Sequence, residues 1–213
     1  HHVPKYLLRN RLPSMETNCI EDWEEKLDAI VKETADQDLR LVSGIPTWVQ
    51  MYFEKLLKHT GKKTVEEVFP NLSLFVHGGV SFTPYAEKFK QLIGFDIPRV
   101  ELYPTSEGFI AFQDKPNVAG MLLNIADGIF YEFIPMDKYH DEDKASRPRL
   151  TIEQVEVGVQ YAIILTTIAG LFSYDMGPAF NTHSRPHGPS LVFVAVLWLE
   201  KKNTNTYSLF IYQ

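Results

Sequence analysis

The sequence has 213 residues, of which 45% are hydrophobic and 23% are charged, with 12 glycines and 13 prolines. This composition excludes intrinsic disorder, collagen and low-complexity architectures, and the length suits one large domain or a piece of a larger protein. A formal net charge of −6 would repel a phosphate backbone and therefore disfavours nucleic-acid binding. The single cysteine, Cys19, cannot form an internal disulfide, and we expect it to be a buried thiol.

Neither a membrane span nor a signal peptide is predicted. The longest apolar run, Leu191 to Leu199, is nine residues long, whereas a spanning helix needs about 20. It is predicted to be a buried strand or a short core segment. The first residues, His1 to Tyr6, have no apolar core, no cleavage site and no initiator methionine. We therefore expect a cytoplasmic fragment cut from a longer chain.

The first half of the sequence alternates helices and short strands. Apolar residues three and four positions apart indicate amphipathic helices, and Pro46 suits the first turn of one of them. A capping-box pattern at Thr64 to Glu67 predicts one further short helix, which opens there and ends before Pro70. The other helices are predicted at Asn18 to Thr34, Pro46 to Leu57 and Thr83 to Gly94, and strands at Leu39 to Val42, Leu72 to His77 and Arg99 to Tyr103.

The second half is mostly strand, and a polar stretch from Asp137 to Pro148 is predicted to be a surface loop. Its strands are predicted at Phe109 to Phe112, Met121 to Ile125, Ile129 to Ile134, Gln154 to Val157, Tyr161 to Thr167 and Leu171 to Tyr174. The whole pattern predicts an α/β fold, with a mixed sheet and flanking helices that continue into an antiparallel β region.

Candidate ligand-binding segments follow three of the predicted strands, because ligands of open α/β sheets bind where strands end. Ser43-Gly44 follows the first, Gly78-Gly79-Val80 the second, and the stretch from Tyr103 to Gly108 the third. A glycine pair lets the backbone approach a flat ligand and points amides at it, although simple turn chemistry is the alternative. His77, beside this pair, is predicted to be a packed or hydrogen-bonded residue rather than a ligand-binding one.

Thr105-Ser106-Glu107 is the most specific of these segments. Two hydroxyls can donate to phosphate oxygens, and the adjacent carboxylate can hold Mg²⁺, which needs only one or two protein carboxylates besides substrate phosphates. The alternative is a turn stabilised by Ser or Thr, with a solvated glutamate. A zinc pair at His183 and His187 is disfavoured by the prolines around it, and no Walker loop is present.

These segments, taken in order, resemble the auxin-responsive acyl-acid amido synthetases (the Gretchen Hagen family), in particular the bacterial form. The resemblance runs from about Pro13 to Gly177, through Cys19 to Trp23, Leu41 to Leu56, Phe69 to Gly94, Leu102 to Gln113 and Gly128 to Pro135. It implies the N-terminal domain fold of adenylate-forming enzymes. It also implies their reaction, in which ATP and a carboxylic acid form an acyl-adenylate and the amine of an amino acid then displaces AMP.

The resemblance implies roles for individual residues. The family motif Tyr-x-x-Ser/Thr-Glu matches Tyr103 to Glu107, which suggests Tyr103 near the adenine, Thr105 and Ser106 at the α-phosphate, and Glu107 on Mg²⁺. Gly78, Gly79 and Val80 would form the floor under the nucleotide. Trp48 and Met51 are candidates for the wall of the acyl pocket, with core packing as the alternative. Tyr174 matches the tyrosine of a later motif, Tyr-x-x-Gly-Asp.

Two departures from the family pattern shape the expectations for the whole chain. Pro178 stands where the later motif has its ribose-binding aspartate, and neither the upstream phosphate loop nor the lid domain is recognisable. Residues 1–177 are therefore predicted to be the central part of an adenylate-forming catalytic domain, and residues 178–213 an atypical tail.

Two functions remain open on this basis. The first is a fragment of an ATP-dependent acyl-acid amido synthetase, acting on a carboxylic acid and an amino acid with ATP and Mg²⁺, and without turnover by this chain alone. The second is a catalytically inactive nucleotide-binding or interaction fragment of that family. Neither nucleic acid nor a membrane is an expected partner, and the sequence does not indicate the oligomeric state.

Overall fold

The computed structural model describes residues 11–114, 121–125, 127–156, 159–176, 196–201 and 207–212. The chain divides into two compact units, residues 1–76 with 84–99 and residues 77–83 with 100–213. Within the described part of the chain, no helix is both long and apolar enough to cross a membrane.

The described part of the first unit, from residue 11 onward, contains four helices and a pair of parallel strands. The helices are α1 (Met15–Asn18), α2 (Trp23–Thr34), α3 (Pro46–Thr60) and α4 (Ala86–Ile93), the last preceded by a 3₁₀ turn at Thr83–Tyr85. Strand β1 (Leu41–Ser43) pairs in parallel with β2 (Leu74–Gly78), and the last two residues of β2 belong to the second unit.

Local side-chain chemistry sets the ends of these helices. The Asp22 carboxylate accepts a hydrogen bond from the Glu25 amide over 2.8 Å, so α2 begins at Trp23 rather than at the predicted Asn18. Pro46 occupies the first turn of α3, as predicted. Gly61, with φ of 70°, ends this helix in the left-handed region. Cys19 lies just after α1 and is exposed, so the prediction of a buried thiol is wrong.

The predicted helix at Thr64 to Glu67 does not form. The Val65 and Glu66 amides donate instead to the carbonyls of Leu92 and Ile93, over 2.8 and 3.0 Å. These tertiary bonds use the donors that a first helical turn would leave free. The segment is therefore a single turn tied to the end of α4.

Aromatic side chains fill the core of the first unit. Phe53 on α3 and Phe75 on β2 both contact Phe89 on α4, with ring centroids 6.0 and 5.1 Å apart. All three are 1% exposed. Helices α2 and α3 are joined by a buried hydrogen bond of 2.7 Å between the hydroxyls of Thr34 and Tyr52.

The second unit is built from antiparallel strands. Strands β3 (Arg99–Pro104), β4 (Phe109–Phe112) and β5 (Leu122–Leu123) pair in that order, and β7 (Tyr161–Thr167) pairs with both β6 (Ile129–Pro135) and β8 (Tyr174–Asp175). Strands β9 (Val196–Lys201) and β10 (Tyr207–Tyr212) form an antiparallel pair. Parallel and antiparallel pairings thus both occur, and the predicted mixed α/β fold is confirmed.

Two predictions in this unit are wrong in part. The stretch from Asp137 to Pro148 is not all loop, because it contains part of a short helix, α5 (Met136–Tyr139), and a 3₁₀ turn at Lys144–Ser146. The Gln154 side chain accepts a hydrogen bond from the Thr151 amide and closes a turn, so the predicted strand does not start there. Residues 157–158 and 177–195 lie outside the described part of the chain, and with them Pro178, His183, His187 and the start of the Leu191 to Leu199 run.

Candidate functional site

Two of the predicted ligand-binding segments leave the sheet side by side. Gly78 ends β2 directly against β3: a Cβ atom placed on it would lie 2.3 Å from the carbonyl oxygen of Leu102 and 3.3 Å from Cδ of Pro104. The glycine loop and the loop after Pro104 therefore start from neighbouring strand ends. This is the placement that the sequence reasoning required of a shared site.

Both glycines of the pair have structural reasons to be there. Gly78 is needed for the close approach of two backbones, and Gly79 has φ of 86°, which a residue with a Cβ rarely adopts. His77 is 4% exposed, and its ring lies 4.9 Å from that of Phe82, so it is packed as predicted. Val80 is half-buried. A role for this loop under a nucleotide remains a prediction.

Thr105 closes the loop between β3 and β4. Its amide donates to the Gly108 carbonyl over 2.9 Å, and its hydroxyl accepts from the Gly108 amide over 3.2 Å. A register shift between Tyr103 and Pro104 bends β3 as it enters this loop. The Thr105 hydroxyl thus stabilises the turn, whereas Ser106 is exposed and its hydroxyl bonds to none of the described residues. The Ser106 hydroxyl is therefore the one that is available to bind a ligand.

Glu107 and Tyr174 come together although they are far apart in the sequence. The backbone amide of Glu107 itself, and after it the Tyr174 hydroxyl, hold the pKa of Glu107 below its usual value. The negative Glu107 carboxylate in turn raises the pKa of Tyr174. The site therefore presents an ionised carboxylate and a protonated phenol at neutral pH.

Tyr103 lies next to this pair. It is half-buried and packs against the core of the second unit, a cluster that includes Tyr131 and Leu123. Burial, and then the negative charge of Glu107, raise its pKa. Its predicted contact with an adenine ring is not tested by these packing contacts.

The sequence reasoning missed two residues beside the site. Arg149 contacts the Glu132 carboxylate over 3.1 Å and donates a hydrogen bond to the hydroxyl of Ser173, the residue before Tyr174. Ser173 has φ of 52°, the only positive φ outside glycine among the described residues. Nothing in the sequence around Ser173 signals this conformation, because it is set by contacts with distant segments.

Trp48 and Met51 lie on α3 in the first unit. Trp48 is 54% exposed and lies 5.2 Å from the Trp23 ring, centroid to centroid. It lines an apolar cleft of about 200 Å³ together with Leu27, Leu41 and others. Met51 is half-buried and is not part of that lining. A ligand in this cleft could therefore contact the Trp48 ring, whereas Met51 does not line the cleft.

The donor set suits Mg²⁺ bound partly by phosphate. Among the residues that the structure describes, no group of three His, Cys, Asp or Glu side chains could hold a metal ion. A lone ionised Glu107 with Ser106 beside it fits a cation that takes most of its ligands from substrate phosphates and water.

The chain is similar to two domains of one family. The GH3 family N-terminal domain matches residues 9–97 and the GH3 family central domain matches residues 122–195, about three quarters of the chain together. Jasmonoyl-L-amino acid synthetase JAR4 of Nicotiana attenuata is 30% identical over 137 residues, covering 61% of this chain and 23% of that protein. Indole-3-acetic acid-amido synthetase GH3.10 of Arabidopsis thaliana is 27% identical over 145 residues, covering 61% and 24%.

Solved structures agree on the fold. The GH3.15 acyl acid amido synthetase superposes with a TM-score of 0.55 at 10% identity, over 88% of this chain and 38% of that one. The same enzyme in complex with 2,4-DB gives a TM-score of 0.56 at 10% identity, over 88% and 37%. The chain spans about a quarter of the length of its curated relatives. Two matched domains, the curated relatives and the shared fold together show that the chain belongs to the GH3 family.

Proposed function

We propose that this chain carries the nucleotide site of an ATP-dependent acyl-acid amido synthetase. The parent protein would activate a carboxylic acid as its acyl-adenylate and join it to an amino acid. The name of one curated relative, a jasmonoyl-L-amino acid synthetase, indicates the joining of an acid to an amino acid by that protein. The observation that carries the proposal is the loop after β3, which Thr105 closes on Gly108 so that Ser106 is exposed next to Glu107. Ser106 and Glu107 belong to the motif that the family resemblance associates with the nucleotide.

Each residue of this loop would have a different role in binding the nucleotide and its cation. Ser106, with its free hydroxyl, donates to a phosphate oxygen, and Thr105 keeps the turn closed so that Ser106 faces outward. Glu107 holds the cation. ATP, when bound, supplies the adenylyl group that activates the acid. Donors fixed in advance stabilise charge on phosphate without reorganising, which is the usual source of rate enhancement in such sites.

For the acyl acid, Trp48 is the better supported of the two candidate residues. Its exposed ring lines an apolar cleft, which would suit the hydrocarbon part of an acid. Met51 is proposed only as a second wall residue.

A catalytically inactive nucleotide-binding fragment is the second candidate. Pro178 favours it, because proline cannot supply the carboxylate that the matching motif places on the ribose hydroxyls. The two candidates differ in turnover, whereas both predict a nucleotide site around Glu107.

Calorimetry with ATP and Mg²⁺ tests the shared site. We expect the chain to bind with a dissociation constant below about 100 μM, equivalent to roughly −5.5 kcal/mol. Glu107→Gln keeps the shape of the side chain but removes its charge, and should weaken binding at least about tenfold. Glu142→Gln, in the exposed loop before β7, is the matched control and should bind as the unchanged chain does.

Turnover separates the two candidates. In the longer parent protein, release of pyrophosphate should depend on a carboxylic acid and be lost in Glu107→Ala. Full activity of that variant would remove Glu107 from the metal site. Nucleotide binding without any pyrophosphate release would favour the inactive fragment.

A further inference from the structure

The residue before Tyr174 is held in an unusual conformation by hydrogen bonds from both sides. Ser173 has φ of 52°, where a Cβ atom makes the backbone unfavourable. Its amide donates to the Thr166 hydroxyl over 3.0 Å, and its own hydroxyl accepts a hydrogen bond from the Arg149 guanidinium. Such a conformation persists only where surrounding contacts impose it, and these two bonds do so.

Arg149 is itself firmly anchored to β6. The next residue, Leu150, exchanges two backbone hydrogen bonds with Phe133, of 2.8 and 2.9 Å. The Arg149 guanidinium also contacts the Glu132 carboxylate over 3.1 Å. Because Glu132 and Phe133 are neighbours on one strand, both the backbone and the side chain of Arg149 are fixed relative to that strand.

Tyr174 depends on the conformation of Ser173 for its direction. It follows Ser173 directly and pairs with Leu165 of β7 at the start of the two-residue strand β8. With so short a strand, a change in φ at Ser173 would swing the chain that carries the Tyr174 ring. The hydroxyl of that ring is the group that reaches Glu107.

We propose that Arg149 is a positioning residue for the nucleotide site: through its bond to Ser173, it fixes the direction in which Tyr174 presents its hydroxyl to Glu107. The relevance to catalysis rests on the proposed function. The placement of Tyr174 does not, and it can be measured without any nucleotide.

Tyrosine NMR on the chain labelled with ¹³C at the ring Cζ measures this placement, with the Tyr174 signal assigned from Tyr174→Phe. Glu107→Gln should shift the Tyr174 signal, because its charged acceptor is lost. In an Arg149→Gln background the same Glu107→Gln change should leave the signal unmoved. Arg149→Lys, which keeps a charged donor, should restore most of the shift.

Two further variants test whether the loss of coupling comes from the hydrogen bond between Arg149 and Ser173 in particular. Ser173→Gly lacks the hydroxyl that Arg149 binds and has no Cβ to restrict φ at this position, so it should abolish the coupling while the chain stays folded. Arg40→Gln is the control, because Arg40 is an exposed arginine with its own carboxylate partner, Asp38, in the first unit. It should leave the coupling intact.

Binding of ATP with Mg²⁺, measured by calorimetry, links this placement to the nucleotide. Arg149→Gln should weaken the affinity roughly three- to tenfold, the range typical of coupled neighbouring residues. Coupling between Tyr174 and Glu107 that survives in both Arg149→Gln and Ser173→Gly would overturn the inference. Coupling that disappears in them, in a chain that does not bind ATP, would support the positioning role and overturn the proposed function.

Discussion

At the scale of single residues, Gly78 shows how little space the site leaves. The carbonyl oxygen of Leu102 lies 2.3 Å from where its Cβ would be, and this oxygen belongs to the backbone of a paired strand that cannot move aside cheaply. The adjacent Gly79 is required for a different reason, its positive φ. Gly78 can therefore lie this close to the backbone of Leu102 only because glycine has no Cβ.

We expect Gly78→Ala to lower the free energy of unfolding by about 1–3 kcal/mol, the usual cost of overpacking. Urea unfolding measures it. Gly61→Ala is the control, because its Cβ would meet nothing within 4 Å and only its φ of 70° is unfavourable. That change should cost about 1–2 kcal/mol from backbone strain alone. Equal stability of Gly78→Ala and the unchanged chain would show that the two strands can separate without cost.

We expect alkaline pH to destabilise the first unit because the Tyr52 phenol ionises. Burial raises the pKa of Tyr52 to about 12, while its hydroxyl stays bonded to Thr34. The folded state thus holds the phenolic proton more tightly than the unfolded state does. The stabilisation of the folded state by the Tyr52 phenol is fully present below the unfolded pKa of about 10 and is lost as the pH rises towards 12.

Tyr52→Phe should therefore reduce the loss of stability between pH 10 and 12 by up to about 2–3 kcal/mol. At neutral pH it should cost only about 1 kcal/mol, because Thr34 keeps its bond to the Ile30 carbonyl. Urea unfolding at a series of pH values measures both effects. Burial also raises the pKa of Tyr131, so some alkaline sensitivity should remain. An unchanged pH profile in Tyr52→Phe would contradict the assignment.

At the scale of elements, periodicity predicted which segments are helices and strands better than where they begin. Strands β4 and β7 occupy the predicted residues, and α3 begins at the predicted proline. Helix α2 begins later than the apolar spacing indicated, because the Asp22 side chain caps it. Thr64 to Glu67 has the local pattern of a helix start but is bonded to α4. Periodicity carries no information about such tertiary competition.

Asp22→Ala should destabilise the first unit by about 1 kcal/mol, the usual cost of losing an N-cap. Thermal unfolding followed by circular dichroism measures the change. Asp22→Asn keeps an acceptor for the Glu25 amide and should be close to neutral. Glu21→Ala, at an exposed position outside the helix, is the second control. A loss as large in Glu21→Ala as in Asp22→Ala would mean that the cap itself contributes nothing.

At the scale of the whole molecule, the boundary between residues 177 and 178 remains a prediction. The match to the central domain runs to residue 195, past that boundary, and β9 and β10 pair with each other beyond it. An atypical tail would contribute little to the remaining core, and the composition of the apolar run from Leu191 to Leu199 is typical of an aggregation-prone segment.

Deleting residues 178–213 should accordingly leave the melting temperature of the remainder unchanged or raise it. Differential scanning calorimetry on both chains measures this, and light scattering reports the expected fall in aggregation. A large fall in melting temperature would show instead that the last two strands belong to the fold.

The sequence by itself determined the family and the fold class, because apolar periodicity, glycine punctuation and the motif from Tyr103 to Glu107 are local patterns. The tertiary structure alone decided which partner each polar group takes. It pairs Thr105 with Gly108, so that Ser106 is the exposed hydroxyl, and it brings Tyr174 to Glu107. It also joins Arg149 to Ser173. These last two contacts link segments far apart in the chain, and such pairings depend on how strands pack, which no local spacing encodes.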